Sequence, residues 1–247
     1  IDFPHNDRFE RDIEEKAGIP ERDWKDCYKG SNGHITKMSL GYLTGEVPPE
    51  FAKLEGLDYL RIQDCDLDNL ELLFSLPSLK TLILTDCDVS SLHEASGDFS
   101  GAKSLETLMF QFKDMGGVPP QIFTLPNLKK LDLYKVGIKE LPPEIGNLQS
   151  LEILEFGANK IKEIPHELSR LKNLKVLYLP GNKLKEYPDF IKNMKSLEVL
   201  FLGSQKKIKE IPEWILELPN LREYSFMMHK YRASYKKNTQ KIMDELK

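Results

Sequence analysis

The chain is poor in cysteine, with three in 247 residues, and it carries no Asn-x-Ser/Thr sequon. Three cysteines cannot make a disulfide framework. With the sequon missing as well, a reducing, cytoplasmic setting is expected. No apolar run approaches the roughly 18 residues needed to cross a bilayer, and no signal-peptide pattern opens the chain, so no membrane contact is expected. The first residue is Ile1, which leaves an upstream leader or domain open.

Catalytic signatures are scarce too. There is no Gly-x-x-x-x-Gly-Lys phosphate loop and no Gly-x-Ser-x-Gly elbow. His166-Glu167-Leu168-Ser169-Arg170 begins like a zinc-protease helix but lacks the second histidine. Asp64, Asp66, Asp86 and Asp88 could offer oxygen ligands to calcium. The Asp64-x-Asp66-x-Asp68 string has neither the glycine nor the terminal glutamate of a calcium loop, and a solvated acidic patch is the favoured reading. No catalytic residue, metal or cofactor is assigned, and no enzyme activity is expected of these residues.

What is present is a charged and well-folded composition, 40% hydrophobic and 30% charged. The net charge of −4 is unevenly distributed. Residues 1–127 hold 12 Lys+Arg against 23 Asp+Glu, and residues 128–247 hold 23 against 16, so the halves carry −11 and +7. Opposite fields at the two ends of an elongated molecule can steer a charged partner.

The sequence also repeats itself. Leu57-x-x-Leu60-x-Ile62-x-x-Cys65-x-Leu67 is followed by Leu79-x-x-Leu82-x-Leu84-x-x-Cys87-x-Val89. The first apolar position recurs at Ile35, Leu57, Leu79, Leu105, Leu128, Leu151, Leu174, Leu197 and Leu221, at spacings of 22, 22, 26, 23, 23, 23, 23 and 24. A period near 23 means one supersecondary unit stacked on itself. In LEILEF, Leu154 and Phe156 alternate with Ile153 and Glu155, as in a strand with one buried face. One strand per repeat cannot pair as hairpins, so parallel strands joined by crossovers are expected. Proline in Ile-Pro or Leu-Pro holds the chain extended before the descending segment.

These motifs resemble the leucine-rich repeat family over about residues 35–229. LPPEIGNLQSLEILEF is similar to the intracellular class reading Leu-Pro-x-x-Ile/Leu, and LTGEVPPEFAKLEGL to the plant and bacterial-type repeats. The resemblance implies an α/β repeat solenoid, a curved horseshoe with a parallel β-sheet on its concave face and helical caps. Residues 1–34 are then an N-terminal capping helix and connector, 35–229 a solenoid of about nine repeats, and 230–247 a C-terminal helical cap or a linker to a following domain. Phe9, Ile13 and Ala17 share one helical face, and Trp24 with Cys27 resembles half of a plant-type cap whose second cysteine is missing. At the far end, Tyr235, Thr239, Ile242 and Leu246 share a helical face. Its Lys236, Lys237 and Lys241 read as a solvated surface, and no nucleic-acid partner is expected.

Three residues past the last strand leucine stand Cys65, Cys87, Lys113, Val136, Asn159, Asn182, Gln205 and His229. The family places Asn or Cys there. Where the chain turns inward, buried backbone groups need a ladder of short polar side chains. Cys65, Cys87, Asn159 and Asn182 are therefore structural ladder residues, although rungs about 4.8 Å apart leave a bridge between the cysteines within reach. Lys113 and Val136 break the pattern, so irregularity is expected in the fourth and fifth repeats, and also in the 26-residue third repeat. The rows Lys139, Lys162, Lys185, Lys209 and Glu140, Glu163, Glu186, Glu210 read as exposed, mutually neutralising ladders.

Strand alternation points a second set outward. Tyr59, Arg61, Met109, Asp132, Tyr134, Glu155, Val176, Tyr178, Val199 and Phe201 are the candidate protein-binding residues, with Val176, Tyr178, Val199 and Phe201 as an apolar centre. The expected function is a protein–protein interaction module, a monomer that holds another protein or peptide on its concave face. Two alternatives stay open: the recognition or regulatory segment of a larger enzyme, such as a Roco-type GTPase or ubiquitin ligase, and a surface-exposed bacterial or plant-like receptor ectodomain.

Overall fold

The computed structural model describes residues 24–29, 34–203, 205, 208 and 212–225. The strands are β1 (Trp24–Lys29), β2 (Ile35–Gly41), β3 (Thr44–Glu46), β4 (Tyr59–Gln63), β5 (Asp66–Asp68), β6 (Thr81–Thr85), β7 (Thr107–Gln111), β8 (Lys130–Asp132), β9 (Ile153–Glu155), β10 (Val176–Tyr178), β11 (Val199–Phe201) and β12 (Glu223–Ser225). All but β3 and β5 form one sheet in chain order, and those two make a small parallel pair beside it. Nine of the ten sheet strands are parallel and lie one per repeat. Every parallel pairing is in register, so that Leu131, Leu154, Leu177 and Leu200 sit side by side. The fold is an α/β leucine-rich repeat solenoid.

One edge differs from expectation. Trp24–Lys29, read as a connector, is a strand antiparallel to β2. A hairpin-like partner pairs the edge that the first repeat would otherwise leave open, which is how natural sheets blunt an edge. The two predicted capping helices, residues 7–17 and 235–246, lie outside the described residues, as do Met227, His229, Lys209 and Glu210.

Inside the stack, each Leu-x-x-Leu-x-Leu unit delivers its three apolar side chains to the core; Leu57, Leu60, Ile62, Leu151, Leu154 and Phe156 are fully buried. On the return path a proline starts each of six 3-10 turns. Pro48, Pro119, Pro142, Pro165, Pro188 and Pro212 keep φ between −55° and −72° with extended ψ. The proline carbonyl accepts the N–H of the apolar residue three positions on, as in Ile145 N to Pro142 O at 3.1 Å and Leu168 N to Pro165 O at 3.1 Å. Pro-x-x-Ile/Leu is thus a turn with its own hydrogen bond, and the final residue enters the core. The turns pack closely: a Cβ on Gly146 would stand 2.7 Å from Glu167 O.

The third repeat carries its extra residues as a short helix (Ser91–Glu94) and a loop fastened to the core. Phe99 is buried and stacks on Phe74 with centroids 4.0 Å apart. Its N–H donates to Thr124 Oγ1 at 2.8 Å, and Gln121 Nε2 donates to Ala95 O.

The ladder is present and has a fixed bonding rule. Asn159 Nδ2 donates to Leu133 O at 2.7 Å, Asn182 Nδ2 to Phe156 O at 3.0 Å and Gln205 Nε2 to Leu179 O at 2.8 Å. Each acceptor is the last buried strand residue of the preceding repeat. Cys87 Sγ reaches the equivalent Ile62 O at 3.4 Å, and Cys65 Sγ takes the N–H of Leu43 and donates to Gln63 O. Both thiols are free and buried, so these cysteines are not bridged. The neighbouring Cys65 thiol and burial hold the Cys87 thiol well above its usual range.

Of the two expected irregularities in this ladder, the one at repeat four holds. Lys113 is exposed, Phe112 is left-handed at φ 73°, and Met115 fills the core. Repeat five, by contrast, keeps its register. Val136 is buried, and Asn159 Oδ1 of the next repeat accepts its N–H at 3.1 Å. The polar neighbour supplies what valine lacks.

Just before each ladder residue the chain turns through a left-handed conformation, at Tyr42, Asp64, Asp86, Phe112, Lys135, Ala158 and Gly181. Asp tolerates that region better than most residues, which accounts for Asp64 and Asp86 without a ligand. Asp88 Oδ1 accepts the N–H of Ser90. Among the described residues, no three His, Cys, Asp or Glu side chains gather as metal ligands do.

A charge column missed in the sequence borders the sheet. Asp58, Lys80, Glu106, Lys129, Glu152, Lys175, Glu198 and Arg222 occupy the position after the first repeat leucine and alternate in sign. Lys129 bonds Glu106 at 3.0 Å, Lys175 bonds Glu152 at 2.7 Å, and Arg222 bonds Glu198. Such exposed pairs contribute little individually because solvent screens them, but a slip of one repeat would set like charge against like.

Candidate interaction surface

Three parallel columns of side chains leave the sheet on its outer, concave side. The in-register pairing places Val176 beside Val199 and Ile153, and Tyr178 between Glu155 and Phe201. The expected apolar centre is therefore contiguous. Val176, Tyr178, Val199 and Phe201 are half-buried rather than fully exposed, because each covers part of its neighbour across the rung. The Tyr178 and Phe201 rings lie 5.3 Å apart and tilted by 42°.

The geometry of Tyr178 depends on what is missing next to it. Gly157 stands beside Tyr134 on β8's side, and a Cβ there would meet Tyr178 Cε1 at 3.0 Å and Pro180 O at 3.3 Å. The ring lies in the gap that glycine leaves. Burial pushes the Tyr178 hydroxyl above its usual range, with Tyr134 and Glu155 adding to the effect.

Asp132 departs from its expected place on the open rim. It is 2% exposed, with Oδ2 accepting Gln111 Nε2 at 2.6 Å and Oδ1 accepting Tyr134 N at 2.9 Å. Burial raises its pKa, opposed by the bond from Gln111. A carboxylate in the column of outward-facing residues has here become a support for Tyr134. Its neighbour Glu155 remains half-exposed and accepts Lys130 Nζ at 2.7 Å through Oε1.

Phe112 was not among the expected site residues. It sits on the loop after β7, is 43% exposed, and meets Tyr134 edge-on at 5.6 Å while Lys135 Nζ lies 5.5 Å from its ring centre. Its left-handed backbone is shared with Tyr42, Asp64, Asp86, Lys135 and Ala158 at the equivalent position, so the conformation belongs to the turn. The signal available in sequence was its position, second after the buried strand residue Phe110, where Asp64, Asp86 and Gly181 stand in other repeats. Tyr59, Arg61 and Met109 are half-buried on the same face, nearer the first repeats and outside the aromatic group.

A stack of parallel strands closed by Pro-x-x-Ile/Leu turns and an Asn/Cys ladder defines a class of repeat protein. Residues 120–247 match the family model for a leucine-rich repeat region, more than half of the chain, and the chain belongs to the leucine-rich repeat family. Comparison with curated proteins gives no match.

Solved structures agree on the fold. An internalin of Listeria monocytogenes is 22% identical with a TM-score of 0.58, over 73% of this chain and 51% of the other. Internalin C2 of the same organism is 20% identical with a TM-score of 0.65, over 78% and 81%. The Arabidopsis receptor kinase HAESA, solved with a peptide hormone and a co-receptor, is 19% identical with a TM-score of 0.64, over 88% and 38%. The chain thus spans about half of the first internalin and well under half of the receptor kinase. Folds of this family commonly serve as protein-interaction modules.

Proposed function

We propose that the chain is a protein-binding module whose concave sheet face, centred on β9–β11, holds a protein or peptide partner and which has no catalytic activity of its own. The observation that carries this reading is the Val176, Tyr178, Val199 and Phe201 cluster. Strand alternation turns these side chains away from the core, yet they are apolar and contiguous. Such a patch with a charged border is the usual form of an interaction site. Polar groups on the described residues lie in ladders that bond backbone, not in a pocket with nucleophile, base and orienting partner. The same face serves whether the chain acts alone in the cytoplasm, within a larger enzyme, or as part of a receptor ectodomain; we propose the first, with the chain a monomer.

The test is affinity capture with the wild-type chain beside Tyr178→Ala and Phe201→Ala variants and a Lys172→Ala control. A partner retained by wild type and Lys172→Ala but lost by both aromatic variants is the expected result. Capture indifferent to all three substitutions would contradict the reading, as would turnover of a nucleotide, ester or peptide abolished by one point mutation.

A further inference from the structure

In the first repeats the concave face is charged oppositely to the segment that builds it. Residues 34–127, all of them described, hold 6 Lys+Arg against 14 Asp+Glu, a net −8. The outward positions of β2, β4, β6 and β7 nevertheless carry two cations, Lys37 and Arg61, and no carboxylate. By register Arg61 stands between Ser39 and Ile83, and Tyr59 precedes it by two places on the same face. Asp26 of β1 pairs with Ser39, which puts its backbone two strands from Arg61, about 10 Å at the usual separation.

Arg61 is also unpaired where comparable cations are not. Lys129, Lys130, Lys175 and Arg222 each hold a carboxylate on a neighbouring rung. Arg61 is half-buried, and among the described residues it takes part in no ion pair or hydrogen bond. The hydroxyls of Ser39, Tyr59 and Thr81 around it likewise make no hydrogen bond among those residues. A guanidinium that has lost part of its water without gaining a counter-charge is left under-solvated. Its planar fork of donors fits a carboxylate through two parallel bonds, and nearby hydroxyls can donate to the same group. The net −8 of the surrounding segment disfavours a polyacidic partner, so the complement of this site is one carboxylate in an otherwise uncharged stretch.

Resting on the concave-face reading, we propose that the first repeats bind a single acidic side chain of the protein or peptide partner, an Asp or Glu, and that Arg61 holds it. Ser39, Tyr59 and Thr81 supply further donors, and Lys37 at the rim adds positive potential.

The probe is a random peptide library displayed with both peptide ends fused, so that it offers no free terminal carboxylate, and selected on the wild-type chain. Selected peptides should share a single Asp or Glu. Replacing that residue by Asn or Gln, or making Arg61→Gln, should each weaken binding by at least about tenfold, the ordinary worth of a charge-assisted bond. The two changes together should cost little more than either alone, and fully additive losses would overturn Arg61 as the holder. Lys172→Ala should leave binding unchanged, and thermal unfolding of Arg61→Gln should match wild type; the peptide substitution reads the same contact without altering the chain. Peptides that lack an acidic residue but lose binding on Phe201→Ala would overturn the Arg61 site while the face stands. Enrichment only from a second library with free C-termini would overturn the side-chain occupant. Peptides indifferent to both Phe201→Ala and Arg61→Gln, or no enrichment from either library, would overturn the face and the Arg61 site together.

Discussion

Asn159 is the most instructive residue to remove. It is 5% exposed and serves four backbone groups: Nδ2 donates to Leu133 O, Phe156 O and, at a longer 3.2 Å, Gly157 O, and Oδ1 accepts from Val136 N. Asn159→Leu keeps the side chain's branched outline, with bulkier methyl groups, and adds apolar surface, so a core driven by burial alone would largely tolerate it. The ladder predicts otherwise. Each orphaned buried group costs about 1–3 kcal/mol, and with partial relaxation the substitution should cost about 3–5 kcal/mol. For a chain of this size, roughly 2–4 °C of melting temperature is lost per kcal/mol, a fall of about 10 °C. Asn127→Leu is the control. Asn127 Nδ2 also donates to a backbone carbonyl, Lys103 O at 2.7 Å, but in an exposed position where water replaces it. That change should cost under about 1 kcal/mol. Asn159→Cys, copying Cys87, should fall between the two. Urea unfolding of the three variants decides the matter, and equal losses for Asn159→Leu and Asn127→Leu would refute the ladder's role.

Cys65→Asn and Cys87→Asn should be nearly neutral, since Asn donates to the same Ile62 and Gln63 carbonyls; mass mapping under native conditions should find both thiols reduced and slow to alkylate until urea is added. Gly157→Ala should displace the Tyr178 ring and weaken partner binding by more than it lowers melting temperature, measured on the same preparation. Asp132 has a raised pKa in the folded state, so folding favours its protonated form: stability should rise as pH falls through the folded pKa towards about 4, the unfolded value. Asp132→Asn should flatten that rise while changing stability at pH 7 by less than about 1 kcal/mol, read from melting temperature against pH.

The architecture was legible because every repeat states it again. The spacing from Ile35 through Leu57 and Leu79 to Leu221 marked all nine parallel strands, and the small polar residue three places after the last strand leucine marked the ladder. What sequence could not supply was cooperation between repeats. Val136 looked like a broken rung, but its N–H is served by Asn159 one repeat on, 23 positions away. Asp132 looked exposed because alternation points it outward, and only the packing of Gln111 and Tyr134 around it shows a buried support. Phe112 escaped notice because loop residues carry no period. Strand β1 carries none of the repeat's leucines, and its antiparallel pairing with β2 is a contact between segments that no repeat encodes. The alternating edge column from Asp58 to Arg222 was readable from charge alone, had that position been aligned.

Whether the concave face binds is tested most directly by the affinity of a captured partner for Tyr178→Ala and Phe201→Ala, set against Lys172→Ala on the convex side. Each aromatic truncation should cost about 2 kcal/mol or more, some 30-fold in Kd, with melting temperature nearly unchanged. Lys172→Ala, whose exposed Nζ bonds Ser169 O within its own turn, should bind like wild type. Equal affinity for all three would contradict a concave-face site, and unfolding of the aromatic variants would show those rings to be core.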